Sequence, residues 1–398
     1  MTAPMNVKRI LLVSYDCVRA DVAYLSDMAG VAGLASRGVR FTFAHASAPL
    51  TPVSHATVFT GLQPYGHKLR HLFRERLDPR ADTLAALLQR AGFLTAAIVS
   101  CPGLNRWYGF DRGFDHYDDW LPPLASGEDA LSLKDVKYRG LALKRANLVV
   151  ARAQEWLSRR RTEDSWFLFV HFFDAHWPYE PPTVHGASAN PYEGEVRYAD
   201  HHFQRLLGWL RERNWLDDTL VVLFGDHGED LAGWYPNDKS GAGSDHPEEE
   251  GHGCLLFQQT QHVPLVFSHS AIAPRDVDAP VGLVDILPTV ATLAGVPRPR
   301  SLHGVDLSPV LAGDAGPSAR PLYAETLYPR ELVENTGAFP TIENLQAVWL
   351  DRRRKVILPF GAPGRARAYD LADDPLELHP VPLAESGWTL PPGALPAD

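Results

Sequence analysis

The stretch Thr219-Leu220-Val221-Val222-Leu223-Phe224-Gly225-Asp226-His227-Gly228-Glu229 decides the fold, because an apolar run of strand length breaks off into acids, a histidine and glycines. The run does not alternate, so both faces of the strand have to be covered, as in a parallel sheet under helices. Four more runs share the pattern: Ile10–Ser14, Thr95–Val99, Trp166–His171 and Val263–Phe267. Between them lie stretches of helical period. These are Thr83–Ala91, with Leu84, Leu87 and Leu88 on one face, Leu141–Arg159, Val196–Arg213, with Phe203, Leu206, Leu207 and Leu210 in step, and Asp285–Ala294. The alternation predicts an α/β protein on a doubly wound, mostly parallel sheet with helices on both faces.

Towards the C-terminus the pattern changes. Ala347–Leu350 and Lys355–Pro359 flank a charged turn, Asp351–Arg354, and read as an antiparallel hairpin in a small C-terminal sheet unit. The Gly/Ala/Pro-rich Gly313–Arg320 marks the expected boundary, giving a main domain over 1–313 and an α+β subdomain over 314–398. Two long loops, 118–138 and 228–251, are where selectivity is expected, and Trp120, Trp234 and Tyr235 either line a pocket there or simply pack.

The composition narrows the function classes. The chain has 398 residues, 48 acidic against 38 basic side chains, a net charge of −10, 17 histidines and three cysteines. Cys17, Cys101 and Cys254 are odd in number and widely spaced, so neither a disulfide framework nor a thiolate zinc motif is read from them, and a reducing compartment fits. The start runs directly into a strand-length apolar segment, far short of a membrane span, and the expectation is a cytoplasmic protein without a membrane partner. Without a basic stripe, nucleic acid is not expected as a partner either. A small anion remains compatible with the net charge, because a cleft can be positive while the whole is negative.

In open parallel sheets ligands bind beyond the carboxyl ends of the strands. Asp16 follows the first strand, Asp174 and His176 the third, and Asp226 and His227 the fourth. Asp16, Asp226 and His227 make an oxygen, oxygen, nitrogen set for one divalent cation with a position left open for substrate. Thr51 and Pro52 open a short apolar helix ending at Thr60-Gly61, with Thr51 expected as N-cap and Pro52 at the first helical position. A hydroxyl there faces the positive end of the helix dipole, and a metal on its oxygen makes the alkoxide accessible. His252 and His176 are candidates to protonate a leaving group or to touch the transferred anion. Arg19 and Asp21 read equally as site residues or as a solvated face and a helix cap.

These residues, in this order, resemble the sulfatase-like branch of the alkaline phosphatase superfamily nearly end to end. The matching pieces include Val13-Ser14-Tyr15-Asp16-Cys17-Val18-Arg19-Ala20-Asp21, the helix ending Thr60-Gly61, Phe172-Phe173-Asp174-Ala175-His176-Trp177-Pro178-Tyr179, Asp226-His227-Gly228-Glu229, His252-Gly253 and Asp285-Ile286-Leu287-Pro288-Thr289. The resemblance implies attack on a phosphorus or sulfur ester through a covalent intermediate. It implies Asp16, Asp226 and His227 as metal ligands, Thr51 as nucleophile and metal-bound oxygen, and His176 and His252 as contacts of the transferred or leaving group. Two departures matter. Formylglycine sulfatases carry Cys or Ser, any residue, Pro, any residue and Arg, whereas here Thr51 takes the nucleophile position and His55 the arginine position. The Lys-Trp-His segment of such enzymes falls near Val99–Leu104, which holds neither Lys nor His.

The expectation is therefore a metal-dependent hydrolase of phosphate diesters, monoesters or phosphonates through a phosphothreonine on Thr51, with His55 marking the subtype. The substrate is a small anionic ester, and the oligomeric state is not legible. The alternatives are a sulfate-ester hydrolase working without formylglycine, a phospho-group transferase, and a silent binding protein on the same fold. Two-zinc relatives place an acid and a histidine four apart after the middle strand. Pro178 stands four beyond Asp174, so one principal metal ion (Mn, Zn, Ca or Mg) is expected.

Overall fold

The computed structural model describes residues 5, 7–72, 74–123, 143–182, 190–231, 249–314, 316–317, 320–336 and 343–396. Its strands are β1 (Arg9–Tyr15), β2 (Gly38–His45), β3 (Leu94–Ile98), β4 (His116–Asp118), β5 (Trp166–Phe172), β6 (Thr219–Gly225), β7 (Asp230–Leu231), β8 (Glu250–Gly251), β9 (His262–Ser268), β10 (Arg275–Val277) and β11 (Val281–Gly282). They are followed by β12 (Leu322–Thr326), β13 (Leu345–Trp349), β14 (Arg354–Pro359), β15 (Arg367–Asp370) and β16 (Val381–Pro382). The main sheet runs β10-β2-β9-β6-β1-β5-β3-β4, with β11 added to β2, and β7 and β8 form a separate ribbon.

Along β1 the side chains divide between two cores. Ile10 and Leu12 join one cluster with the helices Thr51–Thr60, Leu84–Arg90 and Ile286–Leu293, while Leu11, Val13 and Tyr15 join another with Ala146–Ser158 and Pro191–Glu212. Helices thus cover both faces, and this is why the sequence shows an unbroken apolar run. Each fully buried Leu or Val contributes roughly 1.5–3 kcal/mol of transfer free energy.

Two features differ from the sequence reading. The strand expected at 263–267 is β9, and it runs antiparallel to both β6 and β2. β6 ends at the carboxyl edge, and the residues just before β9 lie at the same edge, with the Gly228 N–H on Thr260 O at 2.9 Å, so β9 starts where β6 ends and runs backwards. Strand β2 was not expected; its alternation of Val39, Phe41 and Phe43 is the period-2 signal that betrays it. The helix expected from Leu141 begins at Ala146, and Leu141 lies outside the described residues.

The C-terminal sheet is an antiparallel meander, β12-β13-β14-β15-β16, in which the expected hairpin is β13–β14. Leu322, Ala324, Trp349, Ile357 and Tyr369 share a core with Phe43, Leu255, Leu256 and Phe257 of the main body. Among the described residues no helix is long and apolar enough to cross a membrane.

Candidate active site

Three parallel strands in register bring the site together. Tyr15, the last residue of β1, pairs with Phe172 of β5 and Gly225 of β6. The next residues continue the ladder: the Asp16 N–H donates to Phe172 O at 2.9 Å and the Asp226 N–H to Tyr15 O at 3.2 Å. Asp16 and Asp226 therefore emerge side by side, both fully buried. After Asp226 the chain turns against Gln259, where a Cβ on residue 228 would stand 2.0 Å from a carbonyl oxygen, so only glycine fits.

The helix Thr51–Thr60 brings its first residue to this edge. Thr51 is the first helical residue, and extended Leu50 is the N-cap with no side-chain capping bond. This corrects the expected N-cap, and it has a consequence: the Thr51 hydroxyl is not spent on capping. It donates to Asp16 Oδ2 at 3.1 Å and lies 3.4 Å from His227 Nε2. Ser54 and His55 lock the helix in place, Ser54 on Asp226 O at 2.6 Å and His55 on Thr51 O at 2.8 Å.

The hydrogen bonds fix the proton positions. His227 Nδ1 lies 2.9 Å from Gly228 O, which only accepts, so Nδ1 carries the proton and Nε2 presents a lone pair to Thr51. Burial holds His227 down to about 4, so this neutral tautomer is the one present at neutral pH. His55 likewise donates from Nδ1 to Thr51 O and accepts the Ser14 hydroxyl at Nε2, 2.8 Å away. Burial pushes the Asp16 carboxyl up, but hydrogen bonding and charge from His171, with His227 and His176, hold it below the usual range. Asp226 goes the other way, raised by burial and by Asp16. Its Oδ1 accepts from Cys17 N and His227 N, while Oδ2 is buried with no hydrogen-bond partner. An orphaned buried carboxylate oxygen beside a histidine lone pair is an unmatched charge, and a divalent cation supplies the match.

The sulfatase family profile matches residues 12–296 of this chain. The chain belongs to the sulfatase family. Within the alkaline phosphatase superfamily this makes it an ester hydrolase, and enzymes of the family use a divalent metal ion. Arylsulfatase G of Rattus norvegicus is 27% identical over 92% of this chain and 76% of its own length. Among solved structures, the phosphonate monoester hydrolase of Agrobacterium radiobacter superposes with a TM-score of 0.73 at 21% identity, covering 95% of this chain and 92% of its own. A structure bound to its substrate D-glucosamine-2-N,6-O-disulfate gives 0.74 at 16% identity, covering 96% and 94%. At these identities the two structures speak to the fold.

Of the residues singled out in the sequence of this sulfatase-family chain, Asp16, Asp226, His227, Thr51 and His55 meet in one buried cluster. His252 and His176 form its more open side, their rings 5.3 Å apart, and Glu229 Oε1 lies 2.9 Å from His252 Nδ1. Asp174 faces Arg145 and the Ala146 N–H instead, and burial pushes it up to about 7. Arg19 is buried, bonded to Asp21 and to Glu229 O, and so belongs to the scaffold. The segment at 99–104 does border Thr51: a Cβ on Gly103 would stand 3.5 Å from the Thr51 Cβ. Trp120 is half exposed beside Arg152, and Trp234 and Tyr235 lie outside the described residues.

Two neighbours escaped the sequence reading. His171, inside β5, places Nε2 3.2 Å from Asp16 Oδ2 and Nδ1 2.8 Å from the Ser100 hydroxyl. A polar residue in an otherwise apolar strand was its signal. Cys17 places its thiol 2.8 Å from Asp16 Oδ1. No spacing rule points to it.

Proposed function

We propose that this chain hydrolyses small anionic phosphate esters, as diester, monoester or phosphonate, through a covalent phosphothreonine on Thr51. The observation that carries the reading is the Thr51 hydroxyl, 3.1 Å from Asp16 Oδ2 and 3.4 Å from the His227 lone pair, beside the orphaned Asp226 Oδ2. Asp16, Asp226, His227 and Thr51 would hold one divalent ion, which when bound would lower the hydroxyl pKa and offset the charge of the ester.

The chain's own residues do the rest. Asp16 accepts the hydrogen bond of the Thr51 hydroxyl and so turns an oxygen lone pair toward phosphorus for in-line attack. The helix beginning at Thr51 presents its positive end to the anion. His252 and Glu229 share a proton across 2.9 Å, and burial lifts Glu229 to about 7, so a proton is at hand for the departing alkoxide near neutral pH. Threonine has no second hydroxyl on the ester carbon with which to expel the bound group. Water, or an acceptor alcohol in a transferase, must therefore attack phosphorus. Positioning and electrostatics supply most of the acceleration in such transfers.

A threonine that cannot become formylglycine, with His55 in place of arginine, supports phosphorus over sulfur. The second reading, sulfate-ester hydrolysis, is supported by relatives named arylsulfatases. Rates on aryl phosphate monoester, diester, phosphonate and sulfate, measured side by side on metal-loaded protein, separate the two. The expected result is kcat/KM at least about tenfold higher on a phosphorus ester than on the sulfate, a difference of about 1.4 kcal/mol. The reverse order establishes the sulfatase reading.

A further inference from the structure

We propose that Glu377, between β15 and β16, is a positioning residue for the active site, acting through the single helical turn Gln258–Gln261 on the loop that carries His227 and Glu229. This role rests on the reading of His227 and Glu229 as site residues, but not on which ester is cleaved.

The turn is the platform on which that loop lies. The Gly228 N–H donates to Thr260 O at 2.9 Å and the Glu229 N–H to Gln259 O at 3.0 Å, while Gln259 Nε2 donates to Asp230 Oδ2 at 3.2 Å. The Gly228 carbonyl in turn accepts the His227 Nδ1 proton, and Glu229 Oε1 is the oxygen beside His252. A shift of the turn therefore moves both. Yet one turn of helix is mostly nucleation cost and does not stand by itself. Its first N–H has no acceptor within the helix, and its N-cap, Phe257, makes no side-chain bond to it. Glu377 supplies the acceptor: Oε2 takes the Gln258 N–H at 2.6 Å.

The carboxylate is held firmly for this. Glu377 is fully buried on a left-handed backbone, φ +55, uncommon for a residue with a side chain. Asp374 shapes the reversal there, accepting the Leu378 and His379 N–H groups at 2.9 and 2.8 Å. A buried carboxylate needs a charged partner, and Glu377 Oε1 finds it 2.5 Å away in Nζ of Lys355 on β14. Lys355 is itself fully buried, its Nζ 4.7 Å from the centre of the Trp349 ring. Lys355 engages Oε1 and leaves Oε2 to the turn. Gln258 is gripped a second time, its Oε1 accepting from Trp349 Nε1 at 3.0 Å and from His45 Nε2 at 3.1 Å. The C-terminal sheet thus reaches the active-site loop through Glu377 and Trp349.

Two double variants isolate the Gln258 hydrogen bond. Lys355→Met with Glu377→Gln removes both charges and keeps an oxygen for the Gln258 N–H. Lys355→Met with Glu377→Leu removes the charges and that oxygen, an apolar replacement of the kind buried ion pairs tolerate. Rates are measured on the best ester, phosphorus or sulfur, per folded molecule. The expected result is kcat near wild type in the glutamine variant and about 10–100-fold lower in the leucine variant, with KM within about twofold in both. Hydrogen exchange reads the same contact without turnover. The Gly228 and Glu229 amides are expected to exchange at least about tenfold faster in the leucine than in the glutamine variant, with β1 and β6 alike in both. Equal kcat in the two variants, a loss confined to KM, or unchanged exchange at Gly228 and Glu229 overturns the role of Glu377. If the leucine variant does not fold, exchange in the wild type decides. Gln258, Gly228 and Glu229 amides that open together support the role, and Gly228 and Glu229 protected well beyond Gln258 overturn it. A chain inactive on every ester, yet with the faster exchange in the leucine variant, loses the hydrolase reading and keeps the link from Glu377 to the loop.

Discussion

The two ends of the helix Thr51–Thr60 use the same side chains for different ends. At the N-terminal end stand Thr51 and His55, and at the C-terminal end Thr57 and His67, all buried. The C-terminal pair is complete. His67 Nδ1 accepts the Leu69 N–H at 3.2 Å and its Nε2 proton goes to Thr57 Oγ1 at 3.2 Å, while the Thr57 hydroxyl reaches Val53 O at 3.4 Å. At the N-terminal end His55 is equally complete, but Thr51 faces Asp16, Asp226 and a histidine lone pair, and Asp226 Oδ2 has no partner. Residue type and burial do not separate function from structure here. What differs is unmatched negative charge, present at one end and, among the described residues, absent at the other.

The sharpest break between the ends comes from removing each threonine hydroxyl. Thr51→Ala is expected to lower kcat by at least about 10³-fold with the thermal midpoint little changed, the scale seen when a nucleophile is deleted. Thr57→Ala is expected to do the opposite. It orphans the His67 N–H and costs about 1–3 kcal/mol of stability while kcat stays within about twofold. Initial rates on the best phosphorus ester and urea unfolding of both variants check this, and a Thr51→Ala enzyme at near-wild-type rate removes the nucleophile assignment.

Metal removal gives the next largest effect. An ion that binds only the folded chain stabilises it by about 2.7 kcal/mol when present at a hundred times its dissociation constant. Chelation is therefore expected to lower the unfolding midpoint of wild type and Thr57→Ala by the same increment, and to leave Asp226→Asn nearly unmoved because that variant has lost a ligand. Calorimetry with and without chelator reads the increment. An equal drop in all three proteins dissociates the ion from Asp226.

Much of the arrangement of the candidate site is legible in the sequence, and the reason is directional. Apolar runs that end in Asp16 or in Asp226-His227 declare both a buried strand and its carboxyl edge, and parallel register then makes the ends coincide. Pairing direction is another matter. The run at 263–267 has the same composition whether it runs with its neighbours or against them, so β9 could not be oriented from periodicity. Cys17 was illegible for a related reason: its thiol reaches Asp16 only through a left-handed backbone, which neighbouring residue types do not announce. His55 is marked in the sequence by its place four residues after Thr51, but nothing there tells that Thr57 and His67 complete each other while Thr51 faces an unpartnered carboxylate oxygen.

The smallest effect tests whether the C-terminal end is structural alone. Burial, reinforced by the positive charges of His303, Arg70 and Lys68, holds His67 down to about 3. In the unfolded chain the same imidazole titrates near 6.5. Below that pH the unfolded state binds a proton that the folded state refuses, so stability falls as pH drops from about 6.5 toward 3, by up to about 1.4 kcal/mol per unit, and is unaffected above. His67→Gln keeps an acceptor and a donor but cannot titrate. Comparing urea unfolding at pH 7.5 and pH 5, the variant is expected to lose about 2 kcal/mol less than wild type. Its kcat at pH 7.5 is expected to be unchanged, because the hydrogen bonds it replaces end on Leu69 and Thr57. If kcat fell together with a flattened pH slope, the two ends of the helix would be coupled, and His67 would have to be counted among the residues that position Thr51.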